Sequence, residues 1–408
     1  MPDYDLIIRG AHPLPVIGIT DGCIAGFKDG SSREEINASG LLIMPGLVDA
    51  HVHFNEPGRT DWEGWQSGSR AAVAGGVTTV CDMPLNSSPP VVTVDAFDAK
   101  RAAAEAKSIC DFAFLGGLVP GHLDDMESLA DRGVIGFKAF MCPSGVDDFP
   151  MADLDTLRAG MKRAAKLNLP VSVHAEFERG ELHRGSTVRD YLASRPVDAE
   201  CDAIAAALEL AGETGCALHV VHVSSSRGVE LITEAKNRGV NVTCETCPHY
   251  LILTGDDMER IGAAAKCAPP MRDRSNLEAM WGHVGAGRID TIGSDHSPSP
   301  WSMKEHDDFF KVWGGISSIQ HSMPLLLDAG LDPEPLARLA AANPARRFRL
   351  RGKGRMELGA EADLALVETG APHEISPAEL FYRHQHSPYL HRSLRVWTRR
   401  TILHGRTV

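Results

Sequence analysis

Short apolar segments alternate with longer amphipathic ones through most of the chain. Eight β-prone segments fall at 47–53, 77–83, 112–118, 135–140, 170–174, 217–223, 240–244 and 291–295. Helix-like runs at 65–74, 99–108, 154–167, 202–213 and 228–238 lie between several of them. This alternation predicts a parallel sheet with helical crossovers. Eight such units within about 300 residues predict a (β/α)₈ barrel, whose functional groups sit at the C-terminal strand ends. A doubly wound sheet is the alternative, but it needs a glycine-rich phosphate turn after the first strand, which this chain lacks.

The two ends of the chain carry a different pattern. Residues 4–43 and the segment from Gly352 onward hold short β-prone pieces separated by Gly and Asp turns, the signature of hairpins. They are expected to form one small β-sandwich, so that residues 1–44 and 349–408 clasp a barrel at 45–348.

Composition narrows the class. Hydrophobic residues at 43% and charged residues at 23% describe a globular chain. A formal net charge of −13 argues against nucleic acid or an anionic membrane as partner. No apolar run approaches the ~18 residues of a membrane span. The N-terminus, Met-Pro-Asp-Tyr-Asp, lacks the basic start and apolar core of a signal peptide, so a cytoplasmic location is expected. Nine scattered cysteines read as reduced thiols rather than a disulfide framework. Cys244-x-x-Cys247 has no second pair with which to complete a zinc ribbon, and is expected to be structural.

The chemistry gathers at the strand ends. His51 and His53 close the first strand one residue apart and so share a face. Lys138 lies on the fourth strand, His174 ends the fifth, His222 the sixth and Asp295 the eighth. The separations after His53 are 85, 36, 48 and 73 residues, or three, one, one and two β/α units. All six side chains can therefore converge on one mouth. His219, three residues before His222, is expected to point away into the core.

Neutral imidazole is the commonest ligand for zinc-like ions. An ammonium is a poor one, but a buried lysine can lose its proton and react with carbon dioxide. The resulting carbamate is a carboxylate on a long arm, able to bridge two cations. Four imidazoles, Asp295 and an N6-carboxylated Lys138 would leave two divalent ions with excess positive charge, enough to hold a bridging hydroxide as nucleophile. Nitrogen and oxygen ligands suit zinc best, with manganese, cobalt or nickel also accepted.

The quoted residues resemble the cyclic amidohydrolases, the group of dihydroorotases, hydantoinases or dihydropyrimidinases, and allantoinases. The likeness runs from Ile43-Met-Pro-Gly-Leu-Val-Asp-Ala-His-Val-His through Asn343-Pro-Ala to Ala362-Asp-Leu. Three stretches resemble allantoinases in particular: the runs from His53 to Trp65, from Asp82 to Pro90 and from Phe137 to Pro150. Dihydroorotases carry an arginine two residues after the second histidine, where this chain has Asn55, and hydantoinases a tyrosine five residues after the lysine, where it has Pro143.

The resemblance implies hydrolysis of a cyclic amide, allantoin to allantoate, with Asp295 as general base and then acid. Hydantoinase, dihydropyrimidinase or dihydroorotase activity on another ring is the alternative. Asn55, Ser144, Gly145 and Ser297 are the expected substrate contacts, and His296 is a candidate for orienting a neighbouring group. A homotetramer is implied by resemblance alone. A non-enzymatic relative of the same barrel would be expected to lack ligands, whereas all six positions are filled.

Overall fold

The computed structural model describes residues 2–179 and 185–408. The first barrel strand, Leu47–Val52, is buried at every position, as a parallel strand covered on both faces must be. It pairs in parallel with Val77–Asp82, which pairs with Asp111–Phe114. Leu115 interrupts this third strand. The chain resumes at Gly116–Gly117 and changes partner, opening a six-stranded run through Phe137–Phe140, Val171–His174, Leu218–Val220, Val242–Thr246 and Thr291–Ile292. A parallel bridge between Val52 and His296 joins the last unit to the first, with the His53 N–H donating to the His296 carbonyl at 2.8 Å. The eight expected units close into a (β/α)₈ barrel.

The crossover helices follow local signals. Leu154–Leu167 starts where the Asp153 carboxylate accepts from the Thr156 N–H and stops at Asn168, in the left-handed conformation. Val94–Lys107 begins five residues before the predicted 99, because Thr93 caps it by accepting from Ala96 N–H. Val197–Thr214 likewise begins earlier than the predicted 202.

Both chain ends build the small β-sandwich. One sheet orders Cys23–Gly26, Val16–Thr20, Tyr4–Arg9 and Ser32–Asn37; the other orders Arg406–Thr407, Ser393–Leu403, Leu364–Glu374 and Leu42–Pro45. Leu42–Pro45 comes from the N-terminal end yet pairs with Leu364–Glu374, so the C-terminal end does not complete its sheet alone. Leu6, Ile17, Ile24, Ile43, Leu364 and Ile402 fill the core between the sheets. Lys353 ties the sandwich to the barrel, pairing with Asp363 (2.7 Å), Glu361 and, from the third barrel strand, Asp111. Among the described residues no helix is long and apolar enough to cross a membrane, and all nine cysteines are free thiols.

Candidate metal centre and active site

A cavity of about 560 Å³ opens at the C-terminal ends of the barrel strands. His51, His53, His174, His222 and Asp295 line it. The rings lie side by side, with centroids 5.5 Å apart for His51–His53, 5.4 Å for His51–His222 and 4.6 Å for His174–His222. His51 Nε2 is 3.2 Å and His53 Nε2 3.5 Å from the same Asp295 oxygen. Lys138 is fully buried and is not part of the cavity wall, and its Nζ has no hydrogen-bond partner. Five of the six expected residues thus line one cavity, and the sixth, Lys138, lies within electrostatic reach of His51, His174 and His222.

Local backbone aims two of them. His222 and Asp295 have φ of +40° and +46°, in the left-handed region that costs a non-glycine residue about 1 kcal/mol or more. Each stands just past its strand, where that twist turns the side chain into the mouth. Gly293 gives the space behind: a Cβ there would approach a Glu245 oxygen to 2.8 Å and His51 Cβ to 3.0 Å.

Burial sets the protonation. Desolvation lowers His51, His174 and His222, so these imidazoles keep a free lone pair at neutral pH. Desolvation also brings the Lys138 amine down from 10.5 to about 8, against the opposing pull of Asp295 and Glu245. Burial alone would raise the Asp295 carboxyl, but hydrogen bonding and the neighbouring His51, His53 and His222 rings hold it well below the usual carboxylate range.

The donor set suits divalent ions. His51, His53 and Asp295 offer ligand atoms all within 4.8 Å of one another. Nδ1 of His53, Nδ1 of His222 and Nζ of Lys138 are buried without partners, a costly state for polar atoms unless something engages them. These residues fit a metal centre.

The expected substrate contacts divide. Ser144, Gly145 and Ser297 line the cavity. The Ser144 hydroxyl is occupied in its own turn, donating to the Phe149 carbonyl at 2.6 Å. Asn55 is fully buried outside the cavity wall, where its amide donates to the Pro298 carbonyl at 3.2 Å; it shapes the loop after the eighth strand. His296 Nδ1 accepts from the Ser318 N–H at 3.1 Å, so its ring fixes that loop rather than Asp295.

Several residues of the site have no obvious signal in the sequence. Glu245 accepts from His51 Nδ1 (2.8 Å) and lies 3.3 Å from His219 Nε2, whose Nδ1 pairs with the Thr243 hydroxyl at 2.7 Å. His219 is thus a buried core residue that also belongs to the polar support of His51. Asp49 accepts from the N–H groups of His51 (3.1 Å) and Ser294 (3.0 Å), tying the first strand to the eighth, and burial raises its carboxyl to about 7. Asn86 lines the cavity beside Ser297, with its amide 3.4 Å from that hydroxyl. Asp49 shares the His51 face by strand alternation and could have been found, and Asn86 lies within the Asp82–Pro90 run already set apart by its resemblance; Glu245 stands just past a segment that reads as an ordinary strand.

The chain belongs to the amidohydrolase family, whose model matches residues 42–408. That family is metal-dependent. Within it, the full-length similarity is to allantoinases: 52% identity to that of Rubrobacter xylanophilus over 100% of this chain and 95% of the relative. The allantoinase of Solibacter usitatus is 48% identical over 99% and 93% of the two chains. Among solved structures, L-hydantoinase (dihydropyrimidinase) from Arthrobacter aurescens superposes with a TM-score of 0.96 at 33% identity, covering 99% of this chain and 96% of that one. D-hydantoinase from a Bacillus sp. AR9 follows with a TM-score of 0.88 at 26% identity, over 99% and 95%.

Proposed function

We propose that this protein opens the ring of allantoin by metal-dependent hydrolysis, giving allantoate. The observation that carries the chemistry is the convergence of four imidazoles and one carboxylate on a single cavity, with a buried, unpartnered lysine within electrostatic reach of them. Full-length similarity to allantoinases supports the choice of substrate.

His51, His53, His174, His222 and Asp295 would hold two divalent cations, with zinc expected and an N6-carboxylated Lys138 between them. Bound, such ions supply a water acidified to near neutral pH and Lewis-acid contact to the ring carbonyl. Asp295 accepts the water's proton and delivers it to the departing ring nitrogen. That transfer is essential, because an amide nitrogen is a poor leaving group until protonated. Asp295 is ionised at neutral pH, as an acceptor of that proton must be.

The ring would lie between the imidazoles and Ser297, Asn86, Gly145 and Trp313, which line the same cavity. The Asn86 amide and Ser297 hydroxyl are the neutral polar groups suited to a ureido tail. The Trp313 ring packs edge-on to Trp62 at 4.9 Å and narrows the opening. We take the working assembly to be a cytoplasmic homotetramer, and residues 45–348 to be the catalytic domain.

The test is ring opening of allantoin, hydantoin, dihydrouracil and dihydroorotate by one metal-loaded, bicarbonate-treated preparation, following allantoate by its carboxylate and substrate by loss of the ring. Turnover of allantoin above the other three is expected. Absence of allantoin turnover by a preparation that opens another of these rings would transfer the assignment to that ring.

A further inference from the structure

We propose that Glu176 is a positioning residue that, clamped by Arg195, presents the Nδ1 edge of His174 to the metal centre. The proposal rests on the metal reading of the site and adds to it a support for one ligand. Glu176 stands two residues beyond His174 and is buried. One of its oxygens lies 3.4 Å from His174 Nε2, and the same oxygen is paired with the Arg195 guanidinium. The other carboxylate oxygen has no partner, so one oxygen of this buried charge serves both the Arg195 guanidinium and the ring.

Arg195 is itself fixed. Its guanidinium lies over the Tyr191 ring at 5.5 Å. Its carbonyl accepts from Arg272 Nη1 at 2.5 Å, and Arg272 Nε donates to the Ser224 hydroxyl at 2.9 Å. The imidazole is held on its remaining sides too. Phe140 stacks on its face at 4.5 Å with 14° between planes, and the His222 ring meets it edge-on at 4.6 Å. A ring so enclosed has one nitrogen on Glu176 and one left for a cation.

His51 is held in the opposite sense. Glu245 takes its Nδ1 at 2.8 Å, leaving Nε2 toward Asp295 at 3.2 Å. Two carboxylates thus stand behind two ligand histidines and expose opposite nitrogens. Hydrogen bonding of the far nitrogen fixes tautomer and orientation, and its loss typically costs about 10–100-fold in metal affinity.

Cys142, His174 and Glu176 also offer ligand atoms within 4.8 Å of one another, so an ion among those three is the competing reading. It is disfavoured because the Glu176 oxygen facing His174 already carries the Arg195 cation, which would repel a second positive charge.

The experiment measures metal content and chelator competition for the parent, Glu176→Ala, Arg195→Met and Arg195→Lys. In Glu176→Ala and Arg195→Met, one of the two ions should bind about 10–100-fold more weakly while the other is retained. Arg195→Lys should recover part of the loss, and kcat should fall more than KM changes. A metal-loaded crystal structure of the parent should show His174 Nδ1 on the ion and Nε2 on Glu176. Two ions at parental affinity in a folded Glu176→Ala, Nε2 of His174 on the metal, or an ion bound through Cys142 and Glu176 would overturn the proposal. A parent that binds fewer than two ions would instead remove the metal reading beneath it.

Discussion

Carbamylation of Lys138 can be predicted quantitatively. Only the neutral amine attacks carbon dioxide, forming the N–C bond and releasing one proton. Desolvation places the Lys138 amine at about 8 instead of 10.5. At pH 7 about 9% is then neutral, against about 0.03% for an ordinary lysine, so about 300-fold more of it is reactive. At fixed dissolved carbon dioxide, the initial rate of carbamate formation by metal-free protein should rise about tenfold per pH unit below pH 7 and level off above about 8, where the amine is already neutral. Surface lysines should continue to gain up to about 10. The assay is ¹³C-labelled carbon dioxide uptake followed by ¹³C NMR, with Lys138→Ala as the blank. A carbamate signal absent from the parent, unchanged in Lys138→Ala, or growing in at a rate whose pH midpoint lies near 10 would refute the argument that burial activates this lysine.

Further outcomes follow from the site and its supports. Asp295→Asn should fold and keep most of its metal while kcat falls about 10²–10⁴-fold; a kcat within a few-fold of the parent would put the proton transfer elsewhere. Metal analysis of the bicarbonate-treated parent should find two divalent ions per chain, and removal by chelator should abolish turnover reversibly; fewer than one ion at saturation would dismiss a binuclear centre. Lys100→Met should destabilise by about 3–5 kcal/mol, because it strands the buried Asp82 carboxylate. It should also lower activity, since Asp82 accepts from the Phe54 N–H at 2.8 Å, one residue beyond His53; an unchanged Tm would refute the first part.

Much of the barrel is legible in the sequence because its signals are local and periodic. The strands ending in His53, His174 and His222 combine β-prone residues with whole-unit spacing, and spacing alone brings Lys138 and Asp295 to the same rim. Strand ends are read less well. The third strand changes partner around Leu115, where neither hydropathy nor propensity marks a break, and Thr93 moves a helix start by five residues through a cap that a hydrophobic pattern does not register.

Side-chain direction beyond the strand is the harder problem. Asn55 follows the histidine pair and reads as a ligand contact. A positive φ of +65° takes it out of strand alternation, and its amide turns to Pro298. Glu245 and Glu176 escape notice for a related reason. Their significance lies in what they touch across the barrel or beside the next loop, and pairing over 194 residues, as between His51 and Glu245, leaves no trace in one chain's pattern.

Allantoin turnover relative to the other rings is the measurement that bears most directly on the whole account. Dihydroorotate brings a carboxylate that the neutral Asn86 and Ser297 do not pair, and plain hydantoin lacks the tail that would engage them. Each polar group left unpaired costs about 1–3 kcal/mol, or roughly 5- to 150-fold. The kcat/KM for allantoin should therefore exceed those for hydantoin and dihydroorotate by at least about fivefold, with dihydroorotate lowest. A tenfold preference of the metal-loaded protein for dihydroorotate or plain hydantoin would contradict the allantoin assignment and leave only the cyclic amide hydrolase.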